Sequence, residues 1–251
     1  MTWSASNSPL SSTLDLITPA WSCPSNVVAY TTTRKGGTSL GDFAGLNVGA
    51  HVGDDLLFVK ANRSAIPHSN KITWLEQVHS NRVVSLPSAD TTADAAHSSS
   101  ASHFCAVMTA DCVPILLCDE SGQEVAAVHA GWKGLETNII ANTVRHFSCD
   151  ANKLIAWIGP AISGSCYEVD AQLASKFRHI KGAIANSYNK GKYLLDLPLI
   201  AQMQLQQAGV DSITQSNLCT YTDEQRFYSH RRATHQNKRT TGRMVSVIGL
   251  L

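Results

Sequence analysis

Between residues 105 and 129 three short apolar runs follow one another: Cys105–Met108, Ile115–Cys118 and Val125–His129. Polar turns such as Asp119-Glu-Ser-Gly122 separate them. Runs of four to six apolar residues broken by turn formers suit buried strands. Their spacing predicts a compact sheet through the middle of the chain. Val27–Thr31 and Leu154–Ile158 read as further strands. Helices are expected where apolar residues recur three or four apart. Ile140, Val144 and Phe147 line one face after Gly134, and Asp170 can cap a turn carrying Leu173 and Phe177. Asp196 can cap a longer helix through Leu197, Ala201, Leu205 and Ala208, stopped by Gly209. Strands and helices mix without a regular βαβ alternation, so the expected class is α+β. No linker or fixed-period repeat divides residues 1–251, which predicts one domain with packed mixed β-sheets flanked by helices, residues 1–25 forming a less ordered segment. The Ser-rich stretch Ala95–His103 reads as a mobile surface loop.

Hydrophobic residues make up 43% of the chain and charged residues 16%, which suits a sizeable core and excludes a disordered, charge-rich polymer. Twenty Lys and Arg against nineteen Asp and Glu leave a net charge of +1, so no bulk field recruits nucleic acid or anionic lipid. Seven cysteines, with no C-x-x-C spacing, fit reduced thiols in a cytoplasmic protein better than a disulfide scaffold. Met1–Thr13 lacks a basic segment followed by an apolar one, so no secretory signal is expected. The longest clearly apolar run, Val113–Cys118, is far short of a membrane span.

Three clusters carry side chains suited to chemistry: Glu76-Gln-Val-His79, Thr109-Ala-Asp-Cys-Val-Pro114 and Val128-His-Ala-Gly-Trp-Lys-Gly134. Each puts a metal-capable group at or near a strand end: His79, Cys112 and His129. Two imidazoles and a thiolate suit zinc and leave a fourth position open, the arrangement of catalytic rather than structural zinc. On spacing alone, Cys112 beside Ile115 and Leu116 reads equally as a small core residue with two unrelated histidines nearby.

Resemblance decides between these. The chain carries in order Thr32-Thr-Arg-Lys-Gly-Gly-Thr-Ser39, Leu46-Asn-Val-Gly49 with Val52-Gly-Asp54, Asn62-Arg63, Gln77-Val-His79, Thr109–Pro114, His129-Ala-Gly-Trp132, Ile158-Gly-Pro-Ala-Ile162 and Thr241-Gly-Arg243. Together, from about Thr31 to Leu251, they resemble the YfiH/laccase-domain family, also called the polyphenol oxidase or purine nucleoside phosphorylase family. Its members are single-domain α+β proteins similar to the catalytic domain of cytotoxic necrotizing factor. The resemblance implies that His79, Cys112 and His129 bind zinc, with copper an alternative ion. It implies phosphorolysis of adenosine, inosine and S-methyl-5′-thioadenosine by inorganic phosphate, with accompanying adenosine deaminase activity. It also carries the older assignment as a copper-dependent oxidase.

The residues fit these roles unequally. Phosphorolysis needs an anion site, and Arg34 with the Lys35-Gly-Gly37 turn offers a guanidinium and exposed N–H groups. The same stretch reads equally as a tight surface turn. Asn47, Asp94, Lys133 and Arg231 complete the expected substrate or phosphate contacts, with Arg232 and Arg243 as further sources of positive charge. Lys133 stands where the family commonly has Arg, exchanging a bidentate contact for a point charge. Deamination would need a proton shuttle other than the H-x-E and P-C-x-x-C set, which is absent. Asp111 is the candidate, either as catalyst beside Cys112, His79 and His129 or as a support for a ligand. A laccase needs closely spaced histidine pairs, and no H-x-H occurs among the ten histidines. A cysteine hydrolase using Cys112 with His129 or His79 as base is a further reading, exclusive of a metal-bound thiolate. A purine- or partner-binding module stabilised by zinc is another.

Overall fold

Val113–Asp119 is buried along its whole length, so both of its faces need cover. The computed structural model, which describes residues 14–251, shows two different covers. In chain order the first half contains β1 (Leu16–Ile17), β2 (Val27–Thr32), α1 (Leu56–Ala65), β3 (Ile72–Thr73), β4 (Val83–Leu86), β5 (Ala95–Ser98), β6 (Phe104–Thr109), β7 (Val113–Asp119) and β8 (Val125–Ala130). The second half contains α2 (Trp132–Glu136), α3 (Ile139–Val144), β9 (Leu154–Ile158), β10 (Glu168–Asp170), α4 (Ala171–Ser175), β11 (Ile184–Asn186), β12 (Lys192–Leu195), α5 (Leu197–Gln207), β13 (Ser212–Gln215), α6 (His230–His235) and β14 (Met244–Leu250).

A five-stranded sheet, β1-β2-β14-β6-β3, packs on a six-stranded sheet, β13-β9-β7-β8-β5-β4. A small sheet, β10-β12-β11, stands apart. Side-chain alternation sorts the layers. Leu116 and Cys118 of β7 face the sandwich interior with Cys105, Val107, Ile248 and Trp157. Ile115 and Leu117, on the opposite face, pack under α3 and α5 against Ile139, Ile140, Ile200 and Leu205. The outer face of the five-stranded sheet, with Ile72, Phe104, Val245 and Val247, is covered by Val48 and Ile66. Full burial of each such aliphatic or aromatic side chain contributes ~1.5–3 kcal/mol.

The α+β class and the single domain stand, and two local expectations change. The three central runs do not form one sheet. β6 pairs antiparallel with β14, whereas β7 and β8 belong to the six-stranded sheet. The chain crosses between sheets at Ala110–Cys112, where Asp111 has φ 93°, a backbone conformation that ends the first ladder. Ala95–Ser98 is a buried strand between β4 and β8, not a mobile loop. Its small side chains meet close neighbours on both faces: Ala95 lies on the helix side and Ala96 in the sandwich. Only the turn after it returns to the surface.

The capping assignments hold. Asp196 accepts from Leu199 N at 2.9 Å to start α5, and Gly209 follows its end at φ 90°. Asp170 accepts from Leu173 N at 2.8 Å to start α4. α3 is shorter than the apolar pattern suggests, with Phe147 beyond its end yet in the same buried cluster. Of the N-terminal segment, residues 1–13 lie outside the described residues, while Leu16–Ile17 pairs with Thr31 and Thr32. Among the described residues no helix is long and apolar enough to cross a membrane.

Candidate metal centre and its cavity

The step between the sheets creates the site. Cys112 lies on the crossing segment, His129 on the inner strand β8, and His79 in the loop between β3 and β4 at φ 59°. One donor atom from each lies within 4.8 Å of the others, and the two imidazoles meet edge to face at 4.8 Å between centroids. Tetrahedral zinc with these ligands needs donors about 3.3–3.8 Å apart, so the widest pair would close by at most about 1.5 Å. The donor set therefore fits such an ion. Among the described residues it is the one cluster of three or more metal-capable side chains.

Local structure explains why His79 arrives there. The Gln77 carboxamide donates to Met108 O at 2.8 Å and accepts from Met108 N at 2.7 Å, clipping the loop to the end of β6. Asp94, fully buried, collects the rest of the loop. Its Oδ1 accepts from His79 N at 3.0 Å, and its Oδ2 accepts from Ser80 N at 2.6 Å and Ser80 Oγ at 2.7 Å. Oδ1 also bonds His129 Nδ1 at 2.8 Å, which leaves Nε2 as the donor atom of that ring. Gly131 leaves room for two of the donors: a Cβ there would sit 3.1 Å from Cys112 Sγ and 3.2 Å from His79 Cδ2, so both would have to shift by a few tenths of an ångström.

The electrostatics follow from this packing. Burial opposes charge on Asp94, yet its bonds from His129 and Ser80 outweigh it and hold the carboxyl at about 2. Burial raises the Cys112 thiol, but the His129 and His79 imidazoles outweigh it and bring it well below the usual thiol range. His129 shifts upward in concert, with Cys112 and Asp94 overcoming its burial. The two imidazoles thus lower the cost of forming the thiolate that an ion requires.

The triad opens into a cavity of about 400 Å³. Arg231, Arg243, Lys133, His51 and His230 bring positive or protonatable groups to its wall, Trp132 and Tyr167 bring aromatic rings, and Met108, Ile162 and Leu197 are apolar. Arg231 is held at both ends. Its N–H donates to Asp111 Oδ2 at 2.7 Å, its Nη1 donates to Glu168 O at 2.6 Å, and its guanidinium lies 4.8 Å from the Tyr167 ring centroid. Burial makes the Arg243 guanidinium easier to deprotonate than usual. Burial, then the nearby Arg243 and Arg63, lower the pKa of His51.

The expected residues divide into three groups. His79, Cys112, His129, Asp111, Lys133 and Arg231 line the one cavity. Asp94 and Asn47 stand behind it. Asn47 is fully buried and accepts from Arg243 N at 2.8 Å and Gly49 N at 3.0 Å, fixing the backbone from which Arg243 projects. Arg34 does not line the cavity. Its guanidinium lies 4.7 Å from the Tyr228 ring centroid and donates to Ala44 O at 3.2 Å and Glu224 O at 3.3 Å. The Lys35-Gly-Gly37 turn is likewise elsewhere, with both glycines at positive φ. Arg232 is buried and spends its donors on Thr220 O, Tyr221 O and Phe227 O. His51, Tyr167 and His230 are site residues that sequence reasoning missed. His51 directly precedes the Val52-Gly-Asp54 motif, which is a signal of position but not of role, and Tyr167 carries none.

Known proteins share this sequence pattern and fold. A family model described as multi-copper polyphenol oxidoreductase laccase matches residues 28–251. A Shigella flexneri protein named purine nucleoside phosphorylase YfiH is 41% identical over 245 residues, spanning 94% of this chain and 99% of the relative. A Bacillus subtilis protein named purine nucleoside phosphorylase YlmD is 34% identical over 250 residues, spanning 89% and 88%. Among solved structures, a Neisseria meningitidis protein superimposes with a TM-score of 0.87 at 36% identity, covering 94% of this chain and 98% of the other. The hypothetical protein YfiH of Bacillus licheniformis gives 0.82 at 31% identity, covering 90% and 93%.

Proposed function

The chain belongs to the YfiH family of laccase-like proteins, and we propose on that premise that it is a cytoplasmic, zinc-dependent purine nucleoside phosphorylase. The observation that carries the reading is the juxtaposition, in one cavity, of the His79–Cys112–His129 triad with the cationic side chains Arg231, Arg243 and Lys133. Phosphate and a nucleoside need such a pairing of anion site and reaction centre. A phosphate oxygen attacks ribose C1′, the C1′–N9 bond breaks, and the purine departs with the bonding pair and takes up a proton. The products are free base and ribose 1-phosphate. Arg231 is the phosphate clamp in this reading, because its fixed fork suits a tetrahedral anion. Lys133 and Arg243 add charge, and Trp132 and Tyr167 offer rings to the base. Adenosine, inosine and S-methyl-5′-thioadenosine are the proposed substrates.

Asp94 holds the proton at His129 Nδ1 and so keeps Nε2 available to an ion. A zinc ion bound by the triad would supply Lewis acidity and a water activated near neutral pH, which is what accompanying adenosine deamination requires. Copper could occupy the same donors, since it binds such sites tightly. Oxidase chemistry is less well supported: one three-residue cluster among the described residues and no H-x-H pair in the sequence is a poor basis for several copper centres.

The test is incubation of metal-loaded protein with adenosine, with and without phosphate, and chromatography of the products. Phosphate-dependent adenine and ribose 1-phosphate, lost in Cys112→Ala together with the metal, are expected. Inosine formed without any phosphate requirement would leave only deamination, and no product at all would overturn both activities.

A second reading has its own observation. Cys112, His129 and Asp94 form the thiol–imidazole–carboxylate series of a cysteine hydrolase, with the thiol already depressed. It requires a metal-free sulfur. Purified protein that carries no metal and is alkylated rapidly at Cys112 would favour it.

A further inference from the structure

Asp111 is 7% exposed and directly precedes Cys112, yet its side chain turns toward neither His79 nor His129 for a hydrogen bond. Each of its carboxylate oxygens is committed elsewhere. Oδ1 accepts from Thr220 Oγ1 at 2.7 Å, and Oδ2 accepts from Arg231 N at 2.7 Å. Its backbone is also tied, with Ile162 N donating to Asp111 O at 2.9 Å. Asp111 sits in the step between the sheets at φ 93°. More than one hundred residues of chain separate Asp111 from Arg231, so the bond joins two distant segments at the cavity wall.

We infer that Asp111 is a positioning residue that sets Arg231, the proposed phosphate clamp, in register with the Cys112 loop. The inference rests on the phosphorylase reading for the identity of the anion. Each carboxylate oxygen of Asp111 is tied to a partner in the protein, a hydroxyl and a backbone N–H, which suits a role in holding the cavity wall. Its effect reaches the substrate through Arg231.

The chemistry of the replacements separates this role from acid–base catalysis. Asp111→Gly removes both bonds while tolerating the positive φ. Asp111→Asn keeps that backbone accessible too, and its amide can accept from Arg231 N and donate to Thr220 Oγ1, whose hydroxyl rotates to suit. Phosphate affinity of the metal-loaded protein is measured by calorimetry, beside steady-state kinetics and metal stoichiometry. D111G is expected to weaken phosphate binding and raise the KM for phosphate by ~10-fold, the scale of one lost charge-assisted contact, with metal content kept. D111N is expected to recover most of that loss. In an Arg231→Ala background, D111G should weaken phosphate no further. Thr220→Val, which frees one carboxylate oxygen without altering Asp111, should shift phosphate affinity the same way by a smaller factor and serves if D111G does not fold.

The inference is overturned if D111N is as damaging as D111G, if D111G lowers kcat or metal content instead of phosphate affinity, or if its effect adds fully to that of R231A. Wild-type protein that binds no phosphate overturns it as well. Wild-type protein that binds phosphate but turns over no nucleoside removes the phosphorylase reading instead, and the comparison of variants is then decided on phosphate affinity alone.

Discussion

Asp94→Asn is the sharpest perturbation of the metal centre, because it alters one atom and leaves the shape of the side chain. Asp94 Oδ1 serves His79 N and His129 Nδ1, and Oδ2 serves Ser80 N and Ser80 Oγ. The amide of Asn has one acceptor oxygen, so either orientation turns an NH2 against N–H donors. With the NH2 toward His129, the ring must accept at Nδ1 and carry its proton on Nε2, the atom an ion needs. With the NH2 toward Ser80, the loop that presents His79 loses its anchor. Loss of a carboxylate partner behind a metal-ligating imidazole typically weakens metal binding 10–100-fold, or ~1.4–2.8 kcal/mol. The metal-free protein should also lose ~1–3 kcal/mol for the buried donor left unpaired. The pH dependence gives an independent check. The folded carboxyl sits at about 2, below an unfolded value of about 3.9, so its stabilisation is fully present above pH ~4 and is lost as pH falls toward 2. The shift corresponds to ~2–3 kcal/mol, and D94N should flatten that acid limb. Chelator competition measures the first effect, and denaturant titration of metal-free protein at several pH values measures the others. A D94N protein that binds zinc within twofold of wild type would refute the claim that Asp94 governs the tautomer of His129.

Three further outcomes are expected. Gly131→Ala should weaken metal binding ~10-fold by chelator competition while leaving thermal stability nearly unchanged, because its φ is ordinary but its Cβ crowds Cys112 Sγ and His79 Cδ2. His97, 6% exposed, has its pKa lowered, by burial first and then by His146, against the opposing pull of Glu124. Its neutral form therefore stabilises the fold fully above pH ~6.5 and less as pH falls; His97→Gln should reduce the slope of stability below that point, by up to ~1.4 kcal/mol per pH unit. Arg34→Ala should cost ~1–2 kcal/mol in denaturant titration through its two carbonyl bonds and its stacking on Tyr228. It should leave phosphate affinity within twofold of wild type in calorimetry, since the guanidinium lies outside the cavity.

How much of this was legible depended on the range of the interaction. Leu154–Ile158 and the run from Asp196 to Gly209 are readable because period, cap and stop all lie within one short window. β5 was not, because Ala-Ala-His-Ser has no apolar alternation; only the neighbours β4 and β8 make its small side chains a strand. Periodicity marks β6, β7 and β8 as strands but carries no information about partners, so the division of these three between two sheets had to come from the fold. In the site, the three donors stand in short motifs that resemblance can align. Asp94 lies 35 positions from His129, and nothing local distinguishes a carboxylate that orients an imidazole from one that faces water. Arg34 illustrates the converse, because a guanidinium beside two glycines looks like an anion cradle until its N–H groups are found on carbonyls.

The step between Thr109 and Val113 also has a consequence for chain length. Only Ala110, Asp111 and Cys112 lie between the two ladders. Side chains alternate with a period of two, so the parity of this connector determines which residues of β7 enter the sandwich and which meet the helices. One inserted or deleted residue would exchange Leu116 and Cys118 for Ile115 and Leu117 across the sheet, and would carry Cys112 away from His129 in the same slip. The exposed turn at 99–103 has no such bookkeeping and can absorb changes in length. A library of single-residue insertions would therefore show a sharp gap at the connector, where the reading frame of the β-sandwich and that of the metal centre are one and the same.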